Sequence, residues 1–87
     1  MIEFREFKED FVRGHEIEFY YHNIMYFVTE YSGVSVILKV STDSEPEEIL
    51  FSAKNRLELF EIARINGKPL EDIYSDIKIG TIFWDYN

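Results

Sequence analysis

Apolar residues at the start of the chain recur at helical spacing, then switch to alternation. Phe4, Phe7 and Phe11 stand at i, i+3 and i+7, which puts three rings on one face of a helix over residues 3–13. Glu9 and Arg13 fall at the favourable i,i+4 spacing. Arg13 suits the negative end of that helix, and Gly14 supplies the left-handed residue that ends it. From His15 the period is two: Ile17, Phe19 and Tyr21 alternate with Glu16, Glu18 and Tyr20, as in a half-buried strand. His22-Asn23 predicts a two-residue turn, because Asn tolerates positive φ. A second strand over residues 24–31 then pairs Phe19 with Tyr26 and Ile17 with Val28, so the apolar sets meet on one side of the sheet. Ser32-Gly33 is the next turn, and the β-branched stretch 34–41 is a third strand.

The polar stretch 41–48 reads as a loop, followed by a short fourth strand over residues 48–53. Asn55 with Glu58 three residues on approximates a capping box for a second helix. Leu59, Phe60, Ile62 and Ala63 face inward on it, and Asn66-Gly67 ends it. Pro69 suits a first helical turn, and Leu70, Ile73, Tyr74 and Ile77 mark a second short amphipathic piece. Alternation returns over residues 78–86, a closing strand. The predicted order is αββββααβ. This is an α+β fold, an antiparallel meander of four to five strands with the N-terminal helix and a helix-loop-helix packed on one face.

Composition bounds this picture. The 87 residues suit one domain spanning 1–87. An aromatic fraction of 17% is too high for a disordered acidic tail. Seventeen acidic residues against nine basic ones give a net charge of -8, which argues against binding a nucleic-acid backbone or anionic lipid. The absence of cysteine excludes disulfides, thiolate metal sites and cysteine nucleophiles. The N-terminus lacks an apolar signal region, and no stretch approaches the length of a membrane helix, so the expected compartment is the cytoplasm.

The segment Gly14-His15-Glu16-Ile17-Glu18-Phe19-Tyr20-Tyr21 and the later Ile65-Asn66-Gly67-Lys68-Pro69-Leu70-Glu71-Asp72-Ile73-Tyr74 carry a resemblance. They are similar to motifs of a group of small acidic α+β proteins of Gram-positive bacteria, G-x-E-I-E-F-x-Y-N-G-K and I-D-G-K-S-L-x-E-I-W-x-D-I. The chain departs from the first motif at its turn, where His22-Asn23-Ile24 replaces Asn-Gly-Lys, and from the second where Tyr74 replaces Trp. Members resemble proteins found on mobile elements or beside toxin genes. The resemblance therefore implies an accessory or immunity-type role, and it carries no catalytic residue across.

Candidate chemistry is sparse. His15 and His22 flank the first strand seven residues apart, and on a strand they point to opposite faces, the wrong arrangement for one metal ion. Glu71, Asp72 and Asp76 form an acidic patch, but Glu71 and Asp72 also follow Pro69 in a first helical turn, where anions are favoured without catalysis. The serines lack a nearby base or nucleophile elbow. The rings Tyr20, Tyr21, Tyr26, Phe27 and Tyr31 could form a stacking platform, yet Glu16, Glu18 and Glu30 among them would repel phosphate. Expected, therefore, are no catalytic residues, no metal and no cofactor.

Two surface features remain. Met25, Phe27, Val36, Leu38 and Val40 lie on the second face of the sheet; left uncovered, they form an apolar patch of the kind that meets partners. The carboxylates cluster as well, with Asp43, Glu45, Glu47 and Glu48 within six residues. These four, with Glu16 and Glu18 next, and Phe27 or Tyr31 as an aromatic anchor, are the expected contacts of a non-enzymatic module. Such a module would be an inhibitor that docks on a basic, nucleic-acid-binding site of a partner protein. The alternative is a self-associating structural protein, a homodimer formed through a sheet face or through the terminal strand with Trp84. A small enzyme using Glu71, Asp72 or a histidine is the third possibility, and it requires a pocket lined by perturbed carboxylates.

Overall fold

The computed structural model describes residues 2–40 and 47–83, and it is an α+β fold. Helix α1 (Phe4–Arg13) is followed by strands β1 (Glu16–Tyr21), β2 (Ile24–Tyr31), β3 (Val34–Val40) and β4 (Glu48–Ala53). Helix α2 (Arg56–Ile62), a small hairpin of β5 (Arg64–Ile65) and β6 (Lys68–Pro69), and the single turn α3 (Leu70–Ile73) lead through a 3-10 turn at Tyr74–Asp76 into β7 (Ile77–Phe83). The main sheet has the order β4-β3-β2-β1-β7, with every neighbouring pair antiparallel.

The meander follows from its turns. His22-Asn23, Ser32-Gly33 and Asn66-Gly67 all hold positive φ at both positions, the conformation that matches the twist of antiparallel strands across a two-residue loop. The first hairpin pairs Ile17 with Val28 and Phe19 with Tyr26, as the alternation predicts. One expectation is corrected: Asn66-Gly67 does not terminate α2. The helix stops at Ile62, Ala63 is extended, and Asn66-Gly67 turns the β5–β6 hairpin. Ile62, expected inside, is therefore on the last helical turn and 40% exposed. Ile77, expected on the short helical piece, already belongs to β7.

The helices pack on one face of the sheet. Phe7 and Phe11 are fully buried; Phe7 meets Phe19 edge-on at 6.1 Å and Phe11 meets Phe60 at 5.0 Å. Ile17, Phe19, Val28 and Ile37 supply the sheet side of this core, with Leu59, Leu70 and Ile73 above them. The core forms because three elements each present a single apolar stripe, and burying a Phe or Ile side chain contributes roughly 1.5–3 kcal/mol.

Two β-bulges set the strand phase. On β4, Ile37 pairs with Phe51 but Leu38 pairs with Ile49, so Leu50 is an extra residue. On β7, Glu18 pairs with Thr81 and Phe19 with Ile79, so Gly80 is extra. A Cβ at Gly80 would lie 3.2 Å from both the Glu18 carbonyl oxygen and the Tyr20 ring, so a side chain there would push β1 back by a few tenths of an ångström and the close approach favours glycine.

The junction of α1, β1 and α2 is held by Arg56. This residue is only 4% exposed, and its guanidinium donates to the carbonyls of Phe11 at 3.0 Å, Gly14 at 3.2 Å and His15 at 2.8 Å. These carbonyls lie at or just beyond the C-terminal end of α1, where a helix leaves acceptors without intrahelical donors. Glu30 Oε2 stands 3.5 Å from Arg56 Nε. No ion pair joins Glu9 to Arg13; the i,i+4 spacing alone does not bring them within 4 Å.

Candidate functional site

The face of the sheet away from the helices carries the side chains of opposite phase. Cross-strand register places Glu16 and Glu18 of β1, Phe27, Thr29 and Tyr31 of β2, and Val36 and Leu38 of β3 on this one face. Its centre is closed: Thr29, Val36 and Leu38 are at most 4% exposed, and Met25, Phe27 and Val40 are half-buried. Its margin is open. Among the described residues seven large apolar side chains are exposed, and five of them, Tyr20, Tyr31, Val34, Ile49 and Phe83, belong to this face. The other two, Leu57 and Ile62, are on α2.

The charged groups described here are Glu16, Glu18 and, opposite Tyr20 on β7, the exposed Lys78. Glu16 accepts a hydrogen bond from the Thr29 hydroxyl across the β1–β2 pair. That bond fixes the carboxylate beside the Tyr31 end of the face and uses one of its oxygens. Glu18 is half-buried between Phe27 and Thr81. The face thus combines an aromatic and aliphatic surface with two carboxylates, of which Glu16 is oriented by a hydrogen bond, and one lysine.

The eight partner-binding positions named from the sequence therefore separate. Glu16, Glu18, Phe27 and Tyr31 share the helix-free face. Glu48 pairs with Lys39, and Lys39 pairs in turn with the core residue Tyr26, so Glu48 is on the helix-bearing side. Glu47 is exposed just before β4. Asp43 and Glu45 lie outside the described residues, as does Trp84. Compared with family models, curated proteins and solved structures, the chain matches none.

The remaining candidates are dispersed. His15 sits ahead of β1 with Nδ1 3.2 Å from the Phe83 carbonyl oxygen, while His22 is in the turn at the other end, stacked on Tyr21 with ring centroids 4.0 Å apart. Among the described residues no group of three metal-ligating side chains converges, and no helix is long and apolar enough to cross a membrane. Glu71, Asp72 and Asp76 are exposed on α3 and the turn after it. Among the described residues, the carboxylate perturbed by burial is Asp10 on α1, raised above its ordinary value by desolvation and pulled back in part by His15 and Arg13.

Two residues carry more of the structure than the pattern suggested. Arg56 opens α2, where a cation is disfavoured by the helix dipole; that misplacement was the available signal that it serves another element. Ile49 joins the helix-free face only because of the bulge at Leu50, which no period in the sequence reveals.

Proposed function

We propose that this chain is a non-enzymatic protein-binding module whose contact surface is the helix-free face of the sheet. The observation that carries the reading is the gathering of Tyr20, Tyr31, Val34, Ile49 and Phe83 on that face. Exposed apolar groups collected on one side of a small domain mark partner surfaces, whereas single scattered ones do not. Tyr31, 47% exposed, is the aromatic anchor, and Glu16 and Glu18 select its surroundings. The partner's surface is basic: the chain carries a net charge of -8, and its potential accelerates encounter with positive surfaces while opposing a second copy of itself. An inhibitor or immunity-type protein that covers a basic, nucleic-acid-binding site has this combination.

The test is site-specific photocrosslinking in the native host, with the crosslinker at Tyr31 and, as control, at Leu57 on α2. Capture of one basic protein from position 31 alone supports the reading, as does an association rate that falls about tenfold between low and moderate salt. Equal capture from both positions, or from neither, refutes it. Salt-insensitive crosslinking of the chain to itself through position 31 would replace the basic partner with a homodimer.

A further inference from the structure

On the helix-bearing side, beyond the end of the core, a cavity of about 420 Å³ opens between the sheet and the β5–β6 hairpin. Tyr26, Lys39 and Glu48 form a row across its floor on three adjacent strands. Arg64 lies on the hairpin side, and Leu50, Phe51 and Ile65 supply apolar lining. In a chain of net charge -8, the described lining of this pocket holds two cations, Lys39 and Arg64, against one carboxylate, Glu48.

Each polar group is positioned by the fold and has capacity left. Lys39 is half-buried, yet it forms no ion pair with Glu48 opposite. Arg64 Nη1 donates to the carbonyls of Glu61 and Ala63 at 2.8 and 2.9 Å, which fixes the guanidinium and leaves its other N–H groups uncommitted. The Tyr26 ring stacks on Phe19 at 5.4 Å, so its position is set by the core. Burial first, and Tyr21 second, hold the Tyr26 phenol above its ordinary pKa of 10.0, so at neutral pH it is a hydrogen-bond donor. Among the described residues Lys39 has no carboxylate partner within ion-pair distance, and an anion in the cavity supplies one.

We propose that this cavity binds a small organic monoanion, a carboxylate on a short apolar body. Lys39 and Arg64 hold the carboxylate, the Tyr26 hydroxyl donates to it, and Leu50, Phe51 and Ile65 surround the apolar part. Glu48 limits the charge that is accepted. One negative charge balances the site, whereas a phosphate dianion exceeds that balance and is opposed by the Glu48 carboxylate; Asn66 adds a further polar group to the lining. Volume agrees with the class, since small-molecule sites run from roughly 300 to 1,000 Å³. The site is independent of the helix-free face, which is on the other side of the sheet.

The experiment is an NMR titration of the full chain with 3-phenylpropionate, with 3-phenylpropanol as its uncharged analogue, and with inorganic phosphate. Saturable amide shifts centred on Tyr26, Lys39, Phe51 and Arg64 are expected for the carboxylate, with the alcohol and phosphate each weaker by about tenfold or more. Lys39→Met keeps the aliphatic stem and should weaken binding about tenfold, whereas Lys54→Met, away from the cavity, should not. Glu48→Gln removes the opposing charge and should tighten binding about threefold. Should Lys39→Met lose its dispersed spectrum, Glu48→Gln carries the decision alone. The proposal is overturned by absence of saturation up to about 10 mM ligand, by equal binding of the alcohol or phosphate, or by a Glu48→Gln variant that binds no more tightly.

Discussion

Replacing Arg56 by Met removes the guanidinium and keeps most of the aliphatic stem. The consequence can be worked from the three carbonyls it serves. The Phe11 carbonyl is bonded in a buried setting, while those of Gly14 and His15 are part-buried. The Phe11 carbonyl keeps the Gly14 amide at 3.2 Å, so what is lost there is one hydrogen bond from a charged donor, about 1.5–3 kcal/mol, rather than the full cost of an orphaned acceptor. Water can replace the donor at the two part-buried positions, so they add a fraction of that each. The ion pair with Glu30 adds little, because Glu30 is 51% exposed and pairs in that setting contribute about 0–1 kcal/mol. Opposing these losses is the desolvation of the guanidinium, which the variant no longer suffers. The net expectation is a destabilisation of about 3 kcal/mol, a large share of the roughly 5–10 kcal/mol available to a domain this size. With a urea dependence near 1 kcal/mol per molar, the unfolding midpoint should fall by about 2–3 M. Glu30→Gln should lower it by no more than about 1 M. The assay is equilibrium urea unfolding followed by circular dichroism. A loss below about 1 kcal/mol for Arg56→Met would refute the claim that this side chain ties α1 to α2 and β1.

Two further outcomes follow from particular positions. Gly80→Ala forces a Cβ to within 3.2 Å of a backbone oxygen and the Tyr20 ring, so thermal unfolding should register a loss of about 1–2 kcal/mol; unchanged stability would show that β1 and β7 separate freely at the bulge. For Asp10, 6% exposed, the folded pKa lies above its ordinary 3.8, chiefly because burial disfavours the charge. A carboxyl raised in this way contributes fully below pH 3.8 and loses that contribution as pH rises through the folded value. Asp10→Asn should therefore be more stable than the parent at pH 7, with the gain shrinking as the pH is lowered toward that of the free acid; a variant that is less stable at pH 7 would contradict the sign.

Local signals carried much of the fold. Alternation at Ile17, Phe19 and Tyr21 fixed both the strand and its phase, and the His22-Asn23 turn then left only one register that buries the apolar set, the one observed. Asn55 accepts from the Glu58 amide at 2.8 Å, as a capping residue should. The failures are equally specific. Two-residue strands such as β5 and β6 are too short to show a period, so their Asn-Gly turn resembled a helix end. The bulge at Leu50 shifts the phase of β4 by one residue. Without it Glu48 would stand opposite Val40 on the helix-free face; with it Glu48 stands opposite Lys39. A charge cluster that is compact along the chain is thus divided between two sides of a sheet. Arg56 shows in the sequence only as a cation out of place at a helix start, because the acceptors it serves are more than 40 residues earlier.

The outermost strands, β4 and β7, each contain one surplus residue. An incoming strand aligned along either rim would find donors and acceptors spaced unevenly, and a ladder that loses step stops growing. A chain this rich in β-branched and aromatic residues would otherwise invite cross-β stacking. The same irregularities that aim individual side chains also keep the sheet from being extended into a fibril.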